Sequence, residues 1–427
     1  VTIASIHAHG GEGYFDKGGN GGVVSISSGN GALTIGDITT EGGSGTSGGH
    51  GGAVFVSATG GALELGQVTS SGGYADASVA DSAGGNAGNV TVLGGSAGVT
   101  VADILASGGF VSALAPNPAT GGAGGNVSVS ASGGSLTVLS VDTTGGYGAG
   151  GGSGGAGGNV TLSGANVLVG HLSDSLGSIG GNIATVGGSG DSAATPGNAG
   201  PSGHISVTAT APAGRVVAGN LYAQGNEGAT AGDGGNVTVS AGTGGITIGY
   251  IKTQGGYASY GSGRGGMAGS VTVSAPGGAV AIDGIDAYGG DSSGGGAGGT
   301  GGLVSISAGS GGAVVGPIRT GGGSAWDSPY DAGAGGAVSV AANGGDVTVA
   351  SIETRGGDAG DGRDAGNAGS VSLSGRHVFV AVDARNTASG RGSIDARGGE
   401  AYSNGETIGT GGSGGLVTIV ADAVSGG

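Results

Sequence analysis

Short stretches in which apolar and polar residues alternate return along this chain about every 34 residues. Asn236 opens NVTVSAGTGGITIGYIKTQGG, Asn126 opens NVSVSASGGSLTVLSVDTTGG and Ala337 opens AVSVAANGGDVTVASIETRGG; all three spell one unit. Alternation with period two is the signature of half-buried strands. It places Val237 and Val239 on an inner face and Thr238 and Ser240 on an outer one. After a small Gly-rich turn, Ile246, Ile248 and Ile251 face inward again. Each unit then closes on a Gly-Gly pair and a variable Gly-rich arm. The starts fall at Val23, Ala53, Asn89, Asn126, Asn159, His204, Asn236, Ser270, Leu303, Ala337, Ser370 and Leu416.

One such unit cannot bury its apolar edge alone, so stability has to come from stacking on its neighbours. The pattern predicts an all-β fold, a parallel β-helix or β-solenoid of about twelve coils spanning residues 1–427 without a break. Stacking at ~4.8 Å per coil makes it roughly 58 Å long, and the crossover rule favours a right-handed winding. Gly-Gly pairs beside the strands are expected at corners needing positive φ. Arms of near-constant length are expected to pack as extended Gly-rich layers.

Two units are longer, and they resemble each other: NVTLSGANVLVGHLSDSLGS from Asn159 and SVSLSGRHVFVAVDARNTASG from Ser370. Ser370 lies 211 positions after Asn159, and Leu416 lies 212 after His204. Six units therefore form a super-repeat, approximately 1–203 with 416–427 and then 204–415. Val1 starts in the second half of a unit and Leu416 opens a first half; joined tail to head they make a complete unit of 34 residues. This join predicts a stack that continues across the chain end, through Val1, Ile3 and Ile6 on one side and Leu416, Val417, Ile419 and Val424 on the other. Either separate subunits polymerise head to tail or the residues belong to a longer array.

Composition narrows the classes. The 427 residues include 118 Gly but 8 Pro and no strict triplet, which excludes collagen. Recurring β-branched runs exclude disorder throughout. With 11 Lys and Arg against 28 Asp and Glu, the formal charge is -17, which disfavours nucleic acid as a partner. No apolar run reaches the ~20 residues of a membrane helix, and nothing at Val1 reads as a signal peptide. There is no Cys, hence no disulfide framework.

GGNVTVSA at Gly234 to Ala241, followed by ITIG at Ile246 to Gly249, resembles the Gly-rich, haemagglutinin-like secreted β-helix proteins of bacteria. The likeness is one of general pattern over essentially the whole chain. It implies export to the cell surface and a role in adhesion, biofilm or surface-fibre formation; a secretion module is not visible.

Candidate chemistry is sparse. Asn89, Asn126, Asn159 and Asn236 each precede Val and then Thr or Ser, matching the N-glycosylation sequon, although a stacked Asn ladder explains them better. Tyr74, Phe110, Tyr147 and Tyr257 follow Gly-Gly and predict a ring ladder that anchors the arms, with a sugar-binding or bundling stripe as the rival reading. Trp326 and Tyr330 in WDSPY are candidates for a lateral contact. Asp358, Asp361 and Asp364 could offer oxygen ligands to Ca²⁺, but the GGxGxDxUx calcium repeat is missing and a solvated loop fits better. Asp283, Asp286 and Asp395 show no constant spacing. His7 and His9 share one strand face and the other four His are scattered, short of the three or four converging ligands of a zinc site. No cofactor, metal site or paired catalytic carboxylates are expected. The resulting expectation is a non-enzymatic subunit of an extracellular filament, assembling with itself end to end. The alternative is the stalk of a very long secreted adhesin that binds glycans, surfaces or other fibres.

Overall fold

The computed structural model describes residues 1–427 except 77–81, 113–116, 173–178, 192–195, 260–262, 294, 327–329, 361, 381–392, 404–408 and 423–427; the side chains of 171–180 are likewise undescribed. The described residues are all-β and contain no helix, so none is long and apolar enough to cross a membrane. Two parallel sheets stack into a β-solenoid. A front sheet of twelve strands collects the first strand of every unit, from Val24–Ser28 to Val417–Ala421. A back sheet collects the second and third strands, from Thr2–His7 to Ile394–Asp395.

Register explains why β-branched residues recur. Front-strand Val237 pairs with Val271, then with Val304, Val338, Val371 and Val417 in successive coils. On the back sheet Ile251 pairs with Ile285, Ile318, Ile352 and Ile394. Identical shapes one strand apart pile into columns with almost no exposure below the last rung, and Val237, Val239, Ile246, Ile248 and Ile251 all face inward as the alternation required. Each such side chain contributes roughly 1.5–3 kcal/mol of burial.

The longer units keep this register by an excursion at one corner. Val167–Val169 and Asn182–Ala184 both pair with Leu136–Asp142, so they form one rung of the back sheet. Between them His171–Leu172 and Ile179–Gly180 pair antiparallel. The unit from Ser370 is interrupted at the same corner, between Val378–Val380 and Ile394–Asp395.

The described parts of the arms form ordered layers. Buried threonines pin their bases: Thr40, Thr143, Thr253 and Thr320 donate Oγ1 to the carbonyls of Gly52, Gly158, Gly269 and Gly336 at 2.6–2.8 Å. Beyond the base, hydrogen bonding follows a three-residue period. Gly266 and Gly269 donate to Gly256 and Thr253 of their own coil, whereas Gly265 and Ala268 donate to Ala297 and Thr300 of the next. Gly256 donates back to Gly232 of the preceding coil. A three-residue period matches polyproline II, a helix with no hydrogen bonds inside the segment itself, so each arm segment must bond to segments packed beside it. Arms from adjacent coils supply them.

The Gly-Gly pairs divide into two kinds. Those at the turns between front and back strands carry the expected positive φ, as at Gly245 (79°) and Gly312 (80°). The paired arm glycines are selected by close approach: a Cβ on Gly256, Gly266 or Gly290 would lie well under 3.0 Å from a neighbouring carbonyl oxygen. The paired positions exclude a side chain, and larger residues such as Tyr257 and Met267 stand between the pairs, exposed.

Candidate functional site

Three surfaces carry the candidate chemistry: the two stack faces, the arm stripes and the back-sheet polar cluster.

At one stack face Thr2–His7 bonds only to Leu33–Thr39, and Val24–Ser28 only to Val54–Ala58. Ile3 and Ile6 are half-buried against the column, while Val1 and Val23 are exposed. At the other face Val417–Ala421 bonds only to Val371–Gly375 and shows exposed residues throughout; Leu416 is 72% and Ile419 50% exposed. The first face carries an additional back-sheet rung and the second an additional front-sheet rung, so the two are complementary half-steps. Val424 lies outside the described residues.

The arm stripes follow from the three-residue period. The residue after each outgoing Gly-Gly points outward and the next one inward. Ala75, Val111, Ala119 and Ala149 form a small buried cluster of their own, with Tyr147 against it. Of the aromatic file expected to anchor the arms, Tyr147 packs against this cluster, while Phe110 stays 58% exposed. Tyr74 and Phe110 do touch edge to face, centroids 5.2 Å apart, whereas Tyr147 turns its hydroxyl to Asp191 at 3.0 Å. Tyr257 and Tyr330 are exposed. Trp326 tilts onto Tyr402, centroids 5.7 Å apart, from two coils away. That pair was missed in the sequence, although both rings stand three residues beyond a Gly-Gly and the intervening coil has Gly360 at the same place.

Asn side chains bond along the axis. Asn89 Oδ1 accepts the Asn126 N–H at 2.9 Å, Asn126 that of Asn159 at 2.9 Å, and Asn159 that of His204 at 2.8 Å. His204 Nδ1 accepts from Asn236 at 2.9 Å, and Asn236 from Ser270 at 2.8 Å. Far from scattered, His204 occupies the Asn position of this ladder because its ring nitrogen presents the same acceptor. His50 plays the same part in the arms, accepting the Asn86 N–H at 3.0 Å. Glycans on Asn89, Asn126 and Asn159, in successive coils ~4.8 Å apart, would collide.

The acidic residues serve comparable ends. Asp358 takes the Arg355 guanidinium at 2.6 and 2.8 Å and also accepts the Glu400 N–H. Asp364 accepts from the N–H and hydroxyl of Thr410, which lowers its pKa. Asp361 lies outside the described residues. Asp395 pairs with Arg397 at 2.7 Å. Asp346, held by Arg376 at 3.0 Å and His377 at 2.9 Å, has its pKa lowered to about 2.

Asp286 belongs to a cluster on the back sheet that no repeat pattern announced. It pairs with Arg319 at 3.3 Å and lies close enough to Tyr250, whose ring lies over Gly284, to raise its pKa. Lys252 sits over the rings of Tyr222 and Tyr250 at 5.8 and 5.7 Å. Burial first, and then the Asp286 carboxylate, push the Tyr250 pKa up from 10.0 to about 12. Because the folded value is the higher one, this hydroxyl's contribution to stability is complete below pH 10 and fades as pH rises towards 12. Alkaline titration read at the phenolate absorbance should contain a step near pH 12 that Tyr250→Phe removes.

No family model matches the chain, and neither a curated protein nor a solved structure matches it.

Proposed function

We propose that this chain is a structural, non-catalytic element of an extracellular surface fibre, of the same kind as the Gly-rich haemagglutinin-like secreted solenoids, and that it elongates by stacking coil on coil with further copies of itself. What supports this reading is the run of β-branched columns through both sheets, whose shared register lets a further coil pair on either end rung in the same way. Unpaired parallel strand edges with exposed Val and Ile are templates for further strands. The adhesin-stalk alternative draws support from the exposed Trp326–Tyr402 pair, a flat apolar surface standing outside the columns.

Electron microscopy and light scattering on the purified chain at micromolar concentration test the proposal. Rods should lengthen in steps of roughly 58 Å, twelve rungs of ~4.8 Å, and Val417→Asp with Ile419→Asp should hold the material at one step. A monodisperse 38.3 kDa particle that never lengthens would sink the reading. In native material, an intact mass far above 38.3 kDa would make the array covalent and favour the stalk.

A further inference from the structure

The outer faces of the two sheets differ in charge although the same alternation builds both. On the back sheet the outward positions hold Asp37, Glu64, Asp103, Lys252, Arg319 and Glu353, among others. Charged outward residues are a usual guard against face-to-face and edge association. The front sheet has no such guard. Its twelve strands present two outward files: Ser25, Phe55, Thr91, Ser128 and onward to Thr418, and Ser27, Ser57, Leu93, Ser130 and onward to Val420. Neither file contains a single Asp, Glu, Lys or Arg, in a chain of formal charge -17. Almost every member is Ser or Thr, and Thr208, Ser240, Ser274 and Ser307 stand in direct register on consecutive coils.

We infer that this uncharged front face is a lateral docking surface for the front face of a second copy of the chain, so that solenoids associate side by side. Three features select that occupant. Two molecules of the same large negative charge repel wherever carboxylates face each other, and here they can approach without that cost. The files repeat at ~4.8 Å along the axis, a period that a second copy shares by construction, so small side chains can interdigitate along the whole length. Twelve strands about 17 Å wide make a footprint of about 1,000 Å² per copy, close to what a standard stable interface buries on each side. Such a contact is isologous, each file meeting its counterpart. It does not depend on end-on growth, since one molecule carries the entire face.

Analytical ultracentrifugation and particle widths in electron micrographs read the pairing. Thr208→Asp with Ser240→Asp and Ser274→Asp should raise the dissociation constant of lateral pairs at least tenfold. The same three charges on the back sheet, Val217→Asp with Thr247→Asp and Ala281→Asp, should leave it unchanged. Thr208→Lys with Ser240→Lys and Ser274→Lys should likewise fail to pair with itself yet pair with the front-face aspartate variant, a rescue that misfolding cannot produce. Val417→Asp with Ile419→Asp, which stops lengthening, should still give two-wide particles; failure of elongation and failure of pairing are thereby separate results. Single-width particles from the unsubstituted chain at tens of micromolar would overturn the inference. So would equal effects of the front and back triples, or absence of rescue between two variants that keep the native circular dichroism. Retention of unpaired chain on an insoluble neutral polysaccharide, lost in the front-face variant, would assign the face to a glycan instead.

Discussion

Gly290→Ala should unravel the arms of three adjacent coils while leaving the strands beneath them paired. The Gly290 Cα faces the Gly256 carbonyl oxygen so closely that an added methyl would lie well under 3.0 Å from it, and Gly290 N–H itself donates to Gly266 at 2.8 Å. Both contacts are with backbone, which has no rotamer to yield. Overpacking of this kind costs typically ~1–3 kcal/mol, and here the displaced arm also releases its bonds to the coils above and below. Hydrogen exchange should report the effect as lost amide protection at Gly256, Gly266, Gly290 and Gly299. Unchanged protection there would mean that the arms are not held as a packed layer. Ala at the outward Asp291, one residue on, is the matched control and should lose only the Asp291 Oδ1 bond to the Ser324 N–H.

Ile285→Ala is expected to do the reverse, weakening the column under intact arms. Ile285 is fully buried and stacked between Ile251 and Ile318. Truncating such a side chain costs about 2–5 kcal/mol, depending on how far the surroundings collapse. Stability in a stacked array is a sum of nearest-neighbour terms, so the loss should concentrate in the coils that hold Ile251, Ile285 and Ile318. Hydrogen exchange in strands Gly245–Lys252 and Val280–Asp286 should accelerate, with Leu33–Thr39 near the far end unaffected. A uniform acceleration along the molecule would show instead that it unfolds as one cooperative block.

These two substitutions also mark the boundary of what could be read from the sequence. Ile285 was legible because period-two alternation survives any amount of Gly around it, and the near-constant unit length brings Ile251, Ile285 and Ile318 into line. The role of Gly290 was not. A three-residue period is hard to see where Gly fills the close-approach positions and many of the others, and the pairs invite a reading as positive-φ corners, which fits Gly245 and Gly312 but not Gly256 or Gly290. Tyr402 and His204 escaped for a related reason: each acts through its offset from a Gly-Gly pair or strand start in a neighbouring coil. Among the described residues the Tyr250–Asp286–Arg319 cluster has no counterpart in another unit, and repeat comparison has no purchase on such a feature.

The bonding of the arms bears on how readily such a molecule is digested. By composition, the segment from Gly255 to Gly269 should be an easy target for digestion, being rich in Gly and poor in bulky side chains. A protease, however, must draw some consecutive residues into its cleft as an extended strand and bond to their free amides and carbonyls. In the knitted layer Gly255, Gly256, Ala258, Gly265, Gly266, Ala268 and Gly269 all have their N–H groups engaged. Cleavage within these two bonded runs would have to wait for neighbouring coils to open together, which makes their durability a collective property of the layer.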